Sequence, residues 1–457
     1  MTEREFDAIV IGAGPAGEHA AGRLATKGAR RVAVVERHLV GGECAFYACM
    51  PSKALLRPQE LLRESSRVPG ASQACGGALD VGVVLSRRDQ VIHDFDDSGQ
   101  LPWLRERGVE LIRGHARLVG ERRVEVGDEL LLAREAVVVA VGSGALMPPI
   151  PGLEAADPWT SREVTTAHEV PSHLLVLGGG VVGVEMAQAW RSLGSAVTVV
   201  EALEELLVRE EPFAGRELRE AFEELGIDIH LGARATKVSR QSDGLVSIEL
   251  EDGAPVTGSH LLVAVGRRPL TEDLGLQTVG LEPGAVIEVD ERLRVPGHEW
   301  LYAVGDVNGR SLLTHMGKYQ ARVAADVILG GDAVIQSDGA TAPRVVFTDP
   351  QLAATGHTLA TALAAGIDAK AFDFPTSGTA GASFHGREAA GTTRFVIDLD
   401  HDLLVGATFV GPEVADFLQA ATIAIAGRVP LAMIARAVAP FPTRSELWLK
   451  LIEAYGL

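Results

Sequence analysis

The strongest constraint is a strand, a glycine-rich turn, a helix and a second strand that occur twice in one chain. Phe6–Ile11 reads as a buried strand, Gly12-Ala13-Gly14-Pro15-Ala16-Gly17 follows, a helical stretch runs to about Lys27, and Arg31–Glu36 is a second strand. The order returns as strand Leu174–Leu177, turn Gly178-Gly179-Gly180-Val181-Val182-Gly183, a helix to about Leu193 and strand Ala196–Glu201. In G-x-G-x-x-G the first glycine makes the tight turn, the second lets backbone approach a pyrophosphate, and the third lets helix and strand pack closely. Free N–H groups and the positive helix end then favour the phosphates. An acid about 20 positions on meets a ribose hydroxyl. Glu36 serves Gly12, Gly14 and Gly17 in this way, and Glu201 serves Gly178, Gly180 and Gly183. One such motif is weak evidence. Two copies, each in strand–helix–strand context and each ending in an acid, predict two dinucleotide-binding units.

Composition agrees. The chain has 457 residues, 47% hydrophobic and 23% charged, which suits a globular protein of two to three domains. Its 51 glycines follow no short period and gather at strand–helix junctions. A formal net charge of -19 argues against nucleic acid and against anionic membranes as partners. Met1-Thr2-Glu3-Arg4 leads straight into a strand with no secretory leader, and no run of about 18 apolar residues suggests a membrane helix. The expectation is a cytoplasmic protein.

Other segments organise the remainder. An apolar strand, Ala136–Val141, ends in Gly142-Ser143-Gly144, and the proline-rich stretch 147–152 reads as a linker. A similar strand, Leu261–Val265, ends in Gly266-Arg267-Arg268-Pro269, and Leu301–Val304 leads into Gly305-Asp306. Beyond about Ala342, Arg344–Phe347, Thr393–Asp398 and Leu403–Val410 read as strands, with helices at about Glu413–Gly427 and Ser445–Tyr455. The expected fold is α/β: two Rossmann-like dinucleotide-binding domains plus a C-terminal α+β domain.

Of three cysteines, Cys44 and Cys49 stand close together in Gly41-Gly42-Glu43-Cys44-Ala45-Phe46-Tyr47-Ala48-Cys49-Met50-Pro51-Ser52-Lys53. On a regular helix, positions i and i+5 lie roughly 8–9 Å apart at Cα, whereas a disulfide needs about 4.4–6.8 Å. A bond between them therefore requires a backbone break, and the strain would make it easy to reduce. A thiolate near a helix N-terminus is also stabilised. Read from the residues alone, the pair is a redox disulfide, a metal site or two unrelated thiols. His38 and Glu43 make no recognisable zinc spacing, and no metal site is assigned. Cys75 reads as an ordinary thiol.

Taken together, the first fingerprint, the GGxCxxxxCxPSK segment, Val141-Gly142-Ser143, the second fingerprint, Ala303-Val304-Gly305-Asp306 and Val346-Phe347-Thr348-Asp349-Pro350 resemble one family over nearly the whole chain. It is the class I pyridine nucleotide–disulfide oxidoreductases, to which dihydrolipoamide dehydrogenase, glutathione reductase, mycothione reductase and mercuric reductase belong. The resemblance implies an FAD-binding domain in two parts, 1–150 and 271–340, an NAD(P)-binding domain, 151–270, and a dimerisation domain, 341–457, acting in a homodimer. It implies FAD at the first fingerprint, with Gly42, Ser143, Gly266, Gly305, Asp306 and Thr314 as further cofactor contacts. The nicotinamide cofactor falls to the second fingerprint. Glu201 would repel a 2′-phosphate, and Ala202–Glu205 contains no arginine to hold one, which favours NADH; NADPH remains open through Arg209 or a residue from elsewhere. Cys49 is implied as the thiol nearest the flavin, Cys44 as the interchange thiol, and Lys53 as a residue near the flavin paired with Glu185; outside the motif, that pair would read as a solvated surface pair.

The chain also departs from the family. The usual His-x-His-Pro-Thr is here Ala439-Pro440-Phe441-Pro442-Thr443, so Phe441 stands where the general base should be, while Glu446 is retained. Phenylalanine moves no proton, and a positioned base contributes about 10²–10⁴-fold. Glu43 replaces a usual threonine, and Phe46-Tyr47-Ala48 replaces Asn-x-Gly. Mercuric reductases share Phe-Pro in this region but end in a cysteine pair, whereas this chain ends Ala454-Tyr455-Gly456-Leu457. His385 is a candidate substitute base that the sequence does not place. Three activities follow: reduction of a small disulfide or oxidation of a dithiol; reduction of quinones or metal ions; or service as an E3-like subunit of a larger complex.

Overall fold

A computed structural model describes residues 2–386 and 389–457. The chain divides into two compact units, the first made of 1–51, 89–146 and 267–339, the second of 52–88, 147–266 and 340–457.

In the first unit a seven-stranded sheet runs Val109–Arg113, Val32–Glu36, Thr2–Ile11, Glu129–Val139, Arg123–Val126, Ala116–Leu118, and Leu301–Ala303 also pairs with Glu129–Val139. The strands around Thr2–Ile11 are parallel, and helix Pro15–Gly28 makes the crossover to Val32–Glu36. Near-continuous Val, Ile and Ala runs suit these strands, because a parallel sheet buries both faces. Ala8, Ile9, Val10, Val32–Val34 and Val137–Val139 have no solvent exposure. Helix Thr314–Ile328 packs beside Pro15–Gly28 through small residues such as Ala20, Ala21, Ala321 and Ala324.

The second unit repeats the pattern in a four-stranded parallel sheet: Asp228–His230, Ala196–Val200, His173–Leu177, His260–Val263. Helix Val181–Ser192 follows its glycine turn, and fully buried Trp190 donates its indole N–H to the Val164 carbonyl. A three-stranded antiparallel sheet, Ala235–Arg240, Val246–Leu250 and Val256–Gly258, adjoins it in sequence. The C-terminal part is a five-stranded antiparallel sheet ordered Arg344–Val346, Gln351–Gly356, Leu403–Gly411, Thr392–Asp398, Ala369–Pro375.

Several element limits differ from expectation. The strand read as Ala136–Val141 runs Glu129–Val139, and the one read as Leu261–Val265 stops at Val263. In both cases the chain leaves its sheet two residues early. The Ala140 and Ala264 carbonyls abut the first fingerprint glycines, and Gly142 and Gly266 have φ of 73° and 148°. The helix read from Glu413 starts as a 3-10 turn, Val414–Phe417, and becomes α only at Leu418. Strands Gln351–Gly356 and Ala369–Pro375 were not read from the sequence. The first is short and buried at all six positions, so it shows no alternation. The second is an edge strand that ends in proline. Among the described residues no helix is long and apolar enough to cross a membrane.

Candidate functional site

The two glycine turns have nearly the same geometry. Gly12 has φ 100° and Gly178 has φ 113°, a left-handed conformation that favours glycine. A Cβ on Gly12 would lie 2.5 Å from the Ala140 carbonyl oxygen, and one on Gly178 would lie 2.5 Å from that of Ala264. A Cβ on Gly17 would meet the Gly12 oxygen at 1.8 Å, and one on Gly183 the Gly178 oxygen at 1.9 Å. Gly14 and Gly180 instead have nothing within 4 Å on that side. They cap helices Pro15–Gly28 and Val181–Ser192 without side-chain help, so the helix-end N–H groups face open space. That cradle has the form a pyrophosphate requires.

The two acids match as well. Glu36 accepts the Ala13 N–H at 2.7 Å on one oxygen and the His38 N–H at 2.7 Å on the other. Glu201 accepts the N–H groups of Gly179 at 2.6 Å and Leu203 at 2.8 Å. Each carboxylate is fixed at its strand end, where a ribose would lie. The residues present fit one dinucleotide in each unit. Gly42 completes the first turn: its φ is 59°, and a Cβ there would lie 2.9 Å from Gly14 Cα. On the fingerprint helix, burial pushes the Glu18 carboxyl up to about 7, with Lys318 opposing the shift and Glu36 adding to it.

Between the cysteines the helix breaks, as their spacing requires. Cys44 lies in the short helix Gly42–Phe46, Tyr47 leaves helical geometry at φ -131°, and Cys49 opens helix Cys49–Arg67. The two Sγ atoms are 2.7 Å apart, and Cys49 Sγ is 3.4 Å from Thr314 Oγ1. The hydrogen bond to Cys49 raises the Cys44 pKa most, followed by burial and the charge on Cys49. Cys49 opens a helix, a position at which a thiolate is stabilised. No cluster of metal-ligating groups among the described residues includes either cysteine.

Ser143, 2% exposed, donates to Asp306 Oδ2 at 2.5 Å and accepts from Arg267 Nε at 2.7 Å. Burial raises the Asp306 pKa, and Ser143 and Arg267 oppose that shift. Ser143–Ala145 and Arg267–Pro269 pair as a small antiparallel sheet, so the two predicted domain exits run side by side. Gly305 has φ 79° and donates its N–H to Gln320 at 2.7 Å.

In the second unit Lys53 Nζ donates to Glu185 Oε2 at 2.7 Å. Glu185 is nearly buried, its other oxygen accepts the Phe347 N–H at 2.9 Å, and the Phe347 ring centroid lies 4.8 Å from the ammonium. This is a fixed pair rather than a solvated one. One turn on, Gln188 accepts the Asp349 N–H at 2.8 Å, and Asp349 is gripped by Arg63 and Arg67. Glu446 stands apart at the start of helix Glu446–Tyr455, its Oε2 has no hydrogen-bond partner among the described residues, and Phe441 is 77% exposed.

Arg267, Phe347 and Gln188 were not predicted as site residues. Arg267 and Phe347 lie inside quoted motifs, Gly266-Arg267 and Val346-Phe347, which offered a signal. Gln188 lies on the second fingerprint helix with no motif of its own.

Residues 6–325 match the family model for pyridine nucleotide-disulphide oxidoreductases, and residues 342–452 match that family's dimerisation domain. The chain is 34% identical over 461 residues to dihydrolipoyl dehydrogenase of Thermus scotoductus, covering 99% of this chain and 97% of that one. It is 29% identical to mercuric reductase of Lysinibacillus sphaericus, covering 98% and 82% respectively. Among solved structures, LpdA of Mycobacterium tuberculosis superposes with a TM-score of 0.87 at 26% identity over the full length of both chains.

Proposed function

Since the chain belongs to the pyridine nucleotide-disulphide oxidoreductase family, we propose that it uses NADH and a bound FAD to reduce a small disulfide, or runs in reverse to oxidise a dithiol, through Cys44 and Cys49. The observation that carries this reading is the 2.7 Å approach of the two sulfurs in the same unit as the first glycine cradle. When bound, the flavin supplies the two-electron relay between nicotinamide and sulfur.

The chain's own residues do the remainder. Cys44 is assigned the exchange with substrate: its thiol gives up its proton, to water or to the departing substrate thiolate, as the sulfur attacks, while Cys49, beside Thr314, is assigned the negative charge. Asp306, with Ser143 and Arg267 fixing it, is assigned to the FAD polar chain, as are Gly305 and Gly42. Gly266 terminates the second nucleotide-binding part. Lys53 and Glu185 serve the redox step as a fixed ion pair. NADH is favoured because Glu201 is held rigidly by two backbone N–H groups where a 2′-phosphate would need to sit. The dimerisation domain supports a homodimer, and so few cysteines, with Cys75 exposed as a free thiol, fit a reducing cytoplasm.

One observation favours a second acceptor class. In the sequence Phe441 stands where the resemblance puts a thiol base, and Glu446 Oε2 has no hydrogen-bond partner among the described residues. An acceptor needing no thiol proton, such as a quinone or a metal ion, fits that vacancy better than lipoamide does.

Anaerobic titration with NADH separates the readings. Coupled thiols give a long-wavelength absorption band after two electrons and full bleaching only after two more. A single two-electron bleaching without that band would overturn the thiol route. Cys44→Ser should abolish disulfide reduction while leaving a direct route to quinones intact.

A further inference from the structure

In the second unit three donors from distant parts of the chain converge. Glu64 comes from the last turns of helix Cys49–Arg67, His385 from the 3-10 turn Gly381–His385, and Glu413 from the residue before Val414–Phe417. His385 Nδ1 lies 3.7 Å from Glu64 Oε1 and 3.8 Å from Glu413 Oε2, and all three donor atoms lie within 4.8 Å of one another. These distances are too long for hydrogen bonds. They are close to the roughly 3.4 Å that separates ligand atoms held at about 2.1 Å around a tetrahedral ion.

Local charge points the same way. Glu60, Glu64, Glu413 and Asp416 act on the guanidinium groups of Arg57 and Arg444, while the helix's other arginines, Arg63 and Arg67, are directed to Asp349. With Asp349 counted, five carboxylates face four guanidinium groups, so the surroundings stay negative by one charge, and Arg444 itself lies 3.6 Å from Glu413 Oε2. The donors are also held in place. Glu413 has a φ of 50°, unusual for a non-glycine residue, and Arg444 donates to the carbonyls of Pro412 and Glu413. The His385 turn sits hard against the helix, since a Cβ on Gly386 would lie 2.4 Å from the Arg67 carbonyl oxygen. Each donor side chain retains 22–40% exposure, so a cation can enter and water can complete its shell.

We propose that Glu64, His385 and Glu413 form a site for a divalent cation of the zinc class, clipping the end of helix Cys49–Arg67 to two segments of the C-terminal part. An imidazole with two carboxylates suits Zn(II) and its transition-metal neighbours; Ca(II) and Mg(II) prefer all-oxygen shells.

The test uses the FAD-loaded enzyme in its oxidised state, with Cys44 and Cys49 joined and Cys75→Ser removing the exposed thiol. After chelator treatment, Zn(II) is titrated calorimetrically and bound metal is counted after dialysis. One equivalent per chain is expected, with a raised melting temperature that Mg(II) does not reproduce. His385→Ala should weaken binding by at least roughly tenfold, the lower bound for losing even an outer-shell partner. Glu64→Gln, nearly isosteric and on a regular helix, should do the same should the His385 variant fold poorly. No stoichiometric zinc in the parent protein, or equal affinity in either folded variant, would overturn the site.

Discussion

Lys53 Nζ donates at 2.7 Å to a Glu185 carboxylate that is almost wholly removed from water and is also engaged by the Phe347 N–H. The two partners are unequal, because the lysine side chain retains about a third of its exposure and the glutamate side chain almost none.

That inequality ranks two substitutions. Lys53→Met strands a buried charge and should cost about 3–5 kcal/mol. Glu185→Gln leaves a partly solvated lysine and preserves an acceptor for the Phe347 N–H, so about 1–2 kcal/mol is expected. Urea unfolding of both variants checks the order. Equal losses would mean that Glu185 is not the desolvated partner.

The glycine turns allow a sharper comparison. Gly183→Ala forces a methyl to within 1.9 Å of the Gly178 oxygen and should lower the melting temperature. Gly180→Ala points its methyl into empty space. It should leave thermal stability unchanged, yet raise the Kd for NADH about tenfold or more, a loss of roughly 1.4 kcal/mol. Paired melting and binding measurements decide the matter, and unchanged NADH affinity in Gly180→Ala would mean that the cradle does not hold the pyrophosphate.

Burial holds the Glu18 proton up to about pH 7, well above the ordinary carboxyl range. The folded protein binds this proton more tightly than the unfolded chain does. The associated stability is complete below the unfolded pKa near 4.5 and is lost as pH rises through about 7. Glu18→Gln should therefore stabilise the protein at pH 8 by on the order of 1–3 kcal/mol relative to its effect at pH 4.5. A pH-independent effect in melting curves would show that Glu18 titrates normally.

Phe441→His would supply an imidazole in the same segment as the unpartnered Glu446 oxygen. If the missing base limits thiol exchange, lipoamide or glutathione disulfide turnover should rise by up to about 10²–10⁴-fold. It should also acquire a pH dependence centred near 6.5. Unchanged turnover with normal dimerisation would locate the limitation elsewhere.

By itself the sequence determined what is local and periodic. Two glycine turns, each closing with an acid, are legible because a backbone that must approach a phosphate admits so few residues. The Cys44–Cys49 spacing likewise required a helix break, found at Tyr47, since a regular helix cannot bring those sulfurs together. Tertiary structure decided what depends on residues far apart in the chain. Arg267 reaches Ser143 across 124 positions, Phe347 reaches Glu185 across 162, and Glu64 meets His385 and Glu413 from distant parts of the chain. Strand Gln351–Gly356 was hidden for a related reason: buried on both faces, it carries no alternation, and its pairing with Arg344–Val346 and Leu403–Gly411 makes it a strand. Local motifs encode backbone geometry; side-chain partnerships depend on packing that joins segments with no shared pattern.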